Sequence, residues 1–197
     1  MGLKGYFIQY KFILPESIKH SSYTYQKLFR ALYGYTQNVT KSTGKAYKYH
    51  REGVLSKTPY MRPGKNCVII PHNSFNPLIS FFKTGKNPSH YWRGKGDWKA
   101  VYYMDEKDLD EADVISALET QIDRTYVTSP ADTPQQLSEA LDVILARSKE
   151  SAKVDNAYLT ATLSDAERVV SGLWFKEIYK KSPKLSSFYQ KYRQIKG

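Results

Sequence analysis

A short basic stretch in the first half of the chain holds the side chains that metal-independent cleavage of a phosphodiester uses. Lys48, His50 and Glu52 alternate along it, with Tyr49 and Arg51 between them. Such a reaction needs a general base, a general acid and a cation that stabilises the pentavalent phosphate. A nuclease with His50, Lys48 and Tyr49 as candidate catalytic residues is therefore one hypothesis. Any basic chain with four histidines offers a similar set, so we favour a function without catalysis.

The surroundings of this stretch are strongly basic. Residues 41–99 carry 12 Lys and Arg against Glu52 and Asp97. Cations that neutralise phosphates release condensed counterions, which adds a salt-dependent contribution to nucleic-acid affinity. Four Gly-Lys pairs in the segment also put backbone amides beside an ammonium group, a combination that suits a phosphate. The segment therefore predicts contact with a polyanion.

Aromatic residues are interleaved with these cations, and their rings stack on unpaired bases at roughly 1–3 kcal/mol per base. Trp92 lies in a loop and is a candidate for stacking, whereas Trp98 precedes a strand and is predicted to pack in the core. Since a closed duplex hides the faces of its bases, the aromatic residues favour single-stranded or irregular DNA or RNA. The predicted nucleic-acid-binding residues are Lys45, Tyr47, Lys48, Tyr49, Arg51, Arg62, Lys65, Lys86, Trp92, Arg93 and Lys95.

Several other kinds of site lack their sequence motifs. The chain has no G-x-x-x-x-G-K-[ST] phosphate loop, and no G-x-G-x-x-G follows a predicted strand, so nothing supports nucleotide hydrolysis or dinucleotide binding. H-E-x-x-H and G-x-S-x-G are also missing. The single cysteine, Cys67, and four scattered histidines offer no zinc-ligand spacing. The sequence therefore predicts no cofactor and no metal.

The net charge of +11 is concentrated in the first half of the chain. Residues 1–100 hold 17 Lys and Arg against 3 Asp and Glu, while residues 101–197 hold 13 against 16. Aromatic residues follow the same division, because 20 of the 28 lie in residues 1–103. A one-sided basic, tyrosine-rich half favours nucleic acid, DNA or RNA, as the partner.

The sequence gives no indication of membrane contact. It has no run approaching the ~20 apolar residues that a membrane span needs. Its start lacks the uninterrupted apolar segment of a signal peptide. We therefore expect a soluble protein inside the cell, in the cytoplasm or associated with the nucleoid.

Near the start of the chain, the spacing of apolar residues predicts a strand and then a helix. Alternation predicts a strand that buries Tyr6, Ile8, Tyr10, Phe12 and Leu14. The opposite face of that strand carries Phe7, Gln9, Lys11 and Ile13. A helical stripe follows, formed by Tyr25, Leu28, Phe29, Leu32 and Tyr33, and Gly34 is predicted to end that helix. Period-two patterns return around Tyr47 and again in the segment WKAVYYM.

The second half of the chain reads as helical. One helix is predicted to start with Thr133 as its cap and Pro134 in its first turn, and another with Ser164 as its cap. A basic amphipathic helix with an aromatic stripe ends the sequence. The fold class is therefore α+β, with a mostly antiparallel sheet and helices in residues 1–104 followed by a helical half. Residues 1–104 and 105–197 form either two regions or one integrated domain.

Three functions from different classes are consistent with these patterns. The favoured one is a non-catalytic nucleic-acid-binding protein, and the nuclease is the first alternative. The second alternative is an assembly subunit that docks on an acidic protein, since a basic face also suits such a partner. The helical half, which is near neutral, is a candidate surface for a homodimer or a larger assembly.

Overall fold

A computed structural model describes residues 2–19, 23–40, 42, 44, 46–88, 97–150 and 152–197. Its helices and antiparallel sheets confirm the predicted α+β class. The first elements are β1 (Lys4–Ile13), α1 (Tyr23–Tyr33), β2 (Tyr35–Thr40), β3 (Ala46–Arg51), β4 (Cys67–Ile70), α2 (Phe75–Thr84) and β5 (Lys99–Asp108). They are followed by α3 (Glu111–Arg124), β6 (Tyr126–Thr128), β7 (Pro134–Gln136), α4 (Leu137–Lys149), α5 (Asn156–Val170), α6 (Leu173–Ile178) and α7 (Pro183–Lys196).

The chain divides into two compact units. The sheet unit comprises residues 1–36 and 51–110, and the helical unit comprises residues 37–50 and 111–197. Most of the β2–β3 hairpin therefore belongs to the helical unit, although it lies in the basic half of the sequence. None of the helices in the described ranges has the length and apolar character that a membrane span requires.

The sheet unit is built around β1, which lies between β4 and β5 and pairs antiparallel with both. Strand side chains alternate between the two faces of a sheet. Ile8, Tyr10 and Phe12 are buried as the alternation predicted, whereas Tyr6 is half-buried and Leu14, also half-buried, lies just beyond the strand. Tyr10 lies opposite Tyr102, so the register brings together residues that are far apart in the sequence.

Side chains from α1 and α2 join the buried face of this sheet to form the core of the sheet unit. Phe12 occupies the middle of the core, where its ring meets the edges of Phe29 at 5.5 Å and Trp98 at 5.6 Å between centroids. Leu28 and Phe81 are fully buried beside it. Burial of an aromatic or aliphatic side chain of this size contributes about 1.5–3 kcal/mol. Trp98 is buried, which confirms its predicted place in the core.

Gly34 and Gly53 allow the backbone at the end of α1 to lie close to the backbone that follows β3. The helix ends at Tyr33, as predicted, and Gly34 follows with a φ of +76°. A Cβ atom added to Gly53 would lie 2.1 Å from the backbone nitrogen of Gly34, so no other residue fits there without a shift of the backbone. Ser56 Oγ accepts a hydrogen bond from Gly53 N at 2.7 Å and donates one to Tyr33 O at 3.2 Å.

The helical unit corrects the predicted helix that began around Thr133. Pro134 instead opens β7, where it lies opposite Thr128 of β6. A proline is tolerated as the first residue of a strand. The helix α4 begins only at Leu137. Residues 134–136 therefore form a strand paired with β6, although local capping signals alone assign them to a helix.

The predicted helix start at Ser164 is also wrong. Ser164 lies inside α5, whose true cap is Asp155, because its side chain accepts a hydrogen bond from Tyr158 N at 2.8 Å. The helical conformation is interrupted at Gly172, which precedes the first residue of α6. The C-terminal helix α7 does form, and it buries Leu185, Phe188 and Tyr192 of its aromatic stripe.

Candidate functional site

The sheet of the sheet unit has a second face, opposite its core, which we call the open face. The pairing of β1 with β4 and β5 decides which side chains it carries. They are Phe7, Gln9, Lys11, Ile13, Cys67, Ile69, Lys99, Val101, Tyr103, Asp105 and Lys107. Several of its large side chains are solvent-exposed, and the most exposed is Tyr103, at 61%. A sheet face that presents aromatic and basic side chains to solvent can act as a binding platform.

A groove of about 700 Å³ lies along β1 and β5 beside the start of β4, and four residues of the open face line it, namely Gln9, Lys11, Val101 and Tyr103. It is lined by Gln9, Tyr10, Lys11, Phe12, Tyr25, Lys65, Asn66, Val101, Tyr102 and Tyr103. Two of these residues are lysines, and the described lining includes no carboxylate. Tyr103 lies opposite Gln9, and Lys11 lies opposite Val101, so Tyr103 and Lys11 are diagonal neighbours on adjacent strands.

Asn66 adds a polar group to the rim of the groove. Its backbone has a φ of +58°, which asparagine tolerates better than most residues, and its carbonyl accepts a hydrogen bond from Tyr10 N at 2.9 Å. The side-chain Oδ1 is shielded from solvent and accepts no hydrogen bond from a described residue. An acceptor left in that state costs about 1–3 kcal/mol.

A second cluster of the sheet unit contains Arg62, one of the predicted binding residues. The Arg62 guanidinium carbon lies 4.5 Å from the centroid of the Tyr33 ring, in cation–π geometry. The hydroxyl oxygens of Tyr33 and Tyr10 are 2.8 Å apart and share a hydrogen bond. Burial raises the pKa of both tyrosines above the ordinary value, and the nearby charge of Arg62 offsets only part of that shift.

These raised pKa values predict a loss of stability at alkaline pH. Tyrosines in the unfolded chain release their protons near pH 10, whereas burial makes Tyr10 and Tyr33 release theirs at a higher pH in the folded chain. The contribution of these two tyrosines to folding stability is therefore constant below about pH 10 and falls above it, by up to about 1.4 kcal/mol per pH unit for each tyrosine. Urea unfolding at a series of pH values from 9 to 11 measures this slope.

A Tyr10→Phe/Tyr33→Phe double variant is expected to have a shallower decline than the wild type over the same pH range. Tyr23→Phe is the matched control, because Tyr23 is exposed and its removal leaves the two buried hydroxyls in place. Equal slopes for the wild type and the double variant would contradict the prediction.

The β2–β3 hairpin brings four other predicted residues together within the helical unit. The rings of Tyr47 and Tyr49 lie on one side of β3, with centroids 6.4 Å apart and nearly parallel planes. Lys48, between them in sequence, is exposed. The ring of His50 lies 4.9 Å from that of Tyr126, so His50 is half-buried against an aromatic neighbour.

The candidate nuclease set is only partly assembled on this strand. Lys48 and His50 lie on β3, but the strand ends at Arg51, and Glu52 lies beyond it. Glu52 Oε1 is 2.9 Å from Lys57 Nζ. Glu52 therefore lies just outside the paired part of the strand that carries Lys48 and His50. Across the described ranges, no group of His, Cys, Asp or Glu side chains is arranged to hold a metal ion.

The remaining predicted binding residues fall into the sheet unit or outside the described residues. Arg51, Arg62 and Lys65 are exposed, and Lys65 lines the groove. Lys86 is exposed just after α2, where it lines a separate cavity of about 440 Å³. The predictions for Lys45, Trp92, Arg93 and Lys95 concern residues outside the described ranges.

The groove also contains residues to which the sequence patterns assigned no binding role. Lys11, Gln9 and Tyr103 were recognised only as members of strands. The alternation of β1 did place Gln9 and Lys11 on the face opposite the core, which is the signal that identifies them. The face of Tyr103 could not be assigned in the same way, because it depends on the pairing of β5 with β1.

Comparisons with protein-family models, with curated proteins and with solved structures each give no match to this chain. We therefore infer what the chain binds from its own side chains.

Proposed function

We propose that the chain binds single-stranded or unpaired nucleic acid, DNA or RNA, in the groove of the open face, without catalysis. The observation that carries this proposal is the exposed ring of Tyr103, diagonal to Lys11 in a groove that Lys65 also lines. A base stacked on the ring brings its phosphates towards these two cations. Gln9 supplies an exposed amide group that can hydrogen-bond to a base edge.

The shape of the groove favours a single strand over a duplex. Its volume of about 700 Å³ suits one or two unstacked nucleotides. Stacking on Tyr103 requires a base whose face is free, which a closed duplex does not offer. A protein that binds single strands in this way would act in the cytoplasm or at the nucleoid.

The first experiment measures fluorescence anisotropy with labelled single- and double-stranded DNA and RNA of mixed sequence, from about 50 to 300 mM salt. We expect tighter binding to single strands, with an affinity that falls linearly in log salt. Tyr103→Ala should weaken binding by about 1–3 kcal/mol, or roughly 5- to 150-fold, because it removes the stacking ring. Tyr103→Phe keeps the ring and should bind like the wild type.

Tyr23→Ala provides the matched control, because Tyr23 is equally exposed, at 62%, but lies on α1 and does not line the groove. Equal loss of affinity in Tyr103→Ala and Tyr23→Ala would contradict the proposed site. Shortened probe on a gel would instead support the nuclease alternative, and His50→Ala would then be tested for loss of cleavage. No binding to any probe at low salt would leave docking on an acidic protein as the better explanation.

A further inference from the structure

The outer edge of β5 is long, with an apolar middle and charged residues at both ends. One side of the strand pairs with β1 along its whole length, from Lys99 to Asp108, and no strand in the described ranges pairs with the other side. Four consecutive large side chains on this strand are exposed, namely Val101 at 50%, Tyr102 at 41%, Tyr103 at 61% and Met104 at 39%. An exposed apolar edge of this length is a ready template for another strand.

We propose that β5 pairs antiparallel with β5 of a second copy of this chain, across a two-fold axis at Tyr102. In this register the opposite residues are Lys99 and Asp105, Ala100 and Met104, Val101 and Tyr103, and the two copies of Tyr102. Each Lys99 thus meets a carboxylate of the second copy, and the apolar residues meet one another. Aromatic, β-branched and opposite-charge pairs of this kind stabilise antiparallel sheets.

Charge and face favour this register over the two that are centred on the next residues of the strand. Only a two-fold axis through a residue keeps the buried faces of both sheets on the same side. An axis at Tyr103 would put Lys99 opposite Lys107, which is repulsive. An axis at Met104 would put Tyr103 opposite Asp105 and leave Lys99 without an acidic partner on the second strand.

The ion pair that Asp105 already makes does not oppose this pairing. Asp105 Oδ2 lies 3.1 Å from Lys107 Nζ, and both side chains are exposed. Exposed ion pairs of this kind exchange easily, because solvent screens them. Lys99 of the second copy can therefore share or replace Lys107 as the partner of Asp105.

The resulting dimer closes on itself. Its sheet has six strands in the order β4-β1-β5-β5-β1-β4, and a two-fold contact uses both β5 edges. The opposite edge, at β4, is partly covered, because Met61 forms a bridge to Ile69. The two open faces then form one continuous surface, so that a single strand bound to one groove would extend towards the other, a consequence that rests on the proposed function.

Sedimentation equilibrium of the full chain from about 1 to 200 µM, without nucleic acid, tests the pairing directly. We expect a monomer–dimer equilibrium with a dissociation constant in the micromolar range, since pairing of one edge strand makes a small interface. Lys99→Asp and Asp105→Lys should each raise that constant at least tenfold, because each creates two like-charge pairs. The double variant Lys99→Asp/Asp105→Lys should restore dimerisation.

Lys149→Asp serves as the control, because Lys149 is exposed on α4 and should leave the equilibrium unchanged. A monomer at every concentration would overturn the proposal. So would a dimer that both single variants leave intact, which would place the contact elsewhere, for example on the helical unit. Failure of the double variant to recover would overturn the register.

Cross-linking gives a second, position-specific readout. In a Cys67→Ser background, Tyr102→Cys should form a disulfide-linked dimer on mild oxidation, because directly opposite strand residues have Cα atoms about 4.5–5.5 Å apart. Glu106→Cys lies far from its own copy in this register and should remain monomeric under the same conditions. Equal cross-linking of the two variants would contradict the register.

Discussion

A Lys11→Glu/Lys65→Glu double variant is expected to lose nucleic-acid affinity on the order of 100-fold at about 50 mM salt. Both lysines are exposed and line the groove beside Tyr103. Each phosphate contact made with a single strand adds about 0.7 to the slope of log affinity against log salt, so two lost contacts account for most of this change. The reversed charges add repulsion to the phosphates.

The salt dependence separates a local contact from a general effect of charge. A Lys11→Gln/Lys65→Gln variant should lower the slope by about 1.4, whatever the sequence of the probe. Lys149→Glu/Lys153→Glu changes the net charge as much as Lys11→Glu/Lys65→Glu, but both of its positions lie in the helical unit. If both glutamate variants lost affinity to the same extent, binding would be diffuse and the groove would not be its site.

Gly53→Ala is expected to destabilise the sheet unit by about 3 kcal/mol or more, at the upper end of the cost of overpacking. The new Cβ would lie 2.1 Å from Gly34 N, 2.7 Å from Tyr33 C and 2.8 Å from Leu32 C. All three are backbone atoms, so no side chain can rotate away to relieve the contact. Either α1 or the segment after β3 must move, and both contribute to the core around Leu32 and Leu55.

Gly64→Ala is the matched control in the same unit, because a Cβ there would have no neighbour within 4 Å. Its stability should change by less than about 0.5 kcal/mol, or rise slightly as the unfolded chain loses freedom. Urea unfolding followed by far-UV circular dichroism compares the two variants with the wild type. A Gly53→Ala variant as stable as Gly64→Ala would show that the two backbones are not in close contact.

The parts of the fold that follow from the sequence are those governed by local periodicity. The alternation of β1 and the stripe of α7 were both correct, because each buried face repeats with the period of its own element. The prediction of a helix at Pro134 was wrong because it used only local capping signals, whereas these residues pair with a strand elsewhere in the sequence. Residues 134–136 pair with β6, and no capping rule reports that pairing.

The candidate site was predictable only in part, for the same reason. Lys65 was identified from its type and its neighbours in the sequence. Lys11 and Tyr103 join it only because β1 pairs with β5, and the period of a strand does not reveal its partner. The polyanionic partner that composition favours stays a prediction, while the location of the groove depended on contacts between distant segments.

The central place of β1 has a consequence for synthesis of the chain on the ribosome. Tyr10 pairs with Tyr102, so the segment between them must be translated before β1 can pair with β5. At about 5–20 residues per second, that interval is roughly 5–20 s. During this time the alternating aromatic strand can pair at most with β4, and its other edge is open to neighbouring nascent chains. We expect stalled chains that end before residue 99 to depend on chaperones that shield such edges.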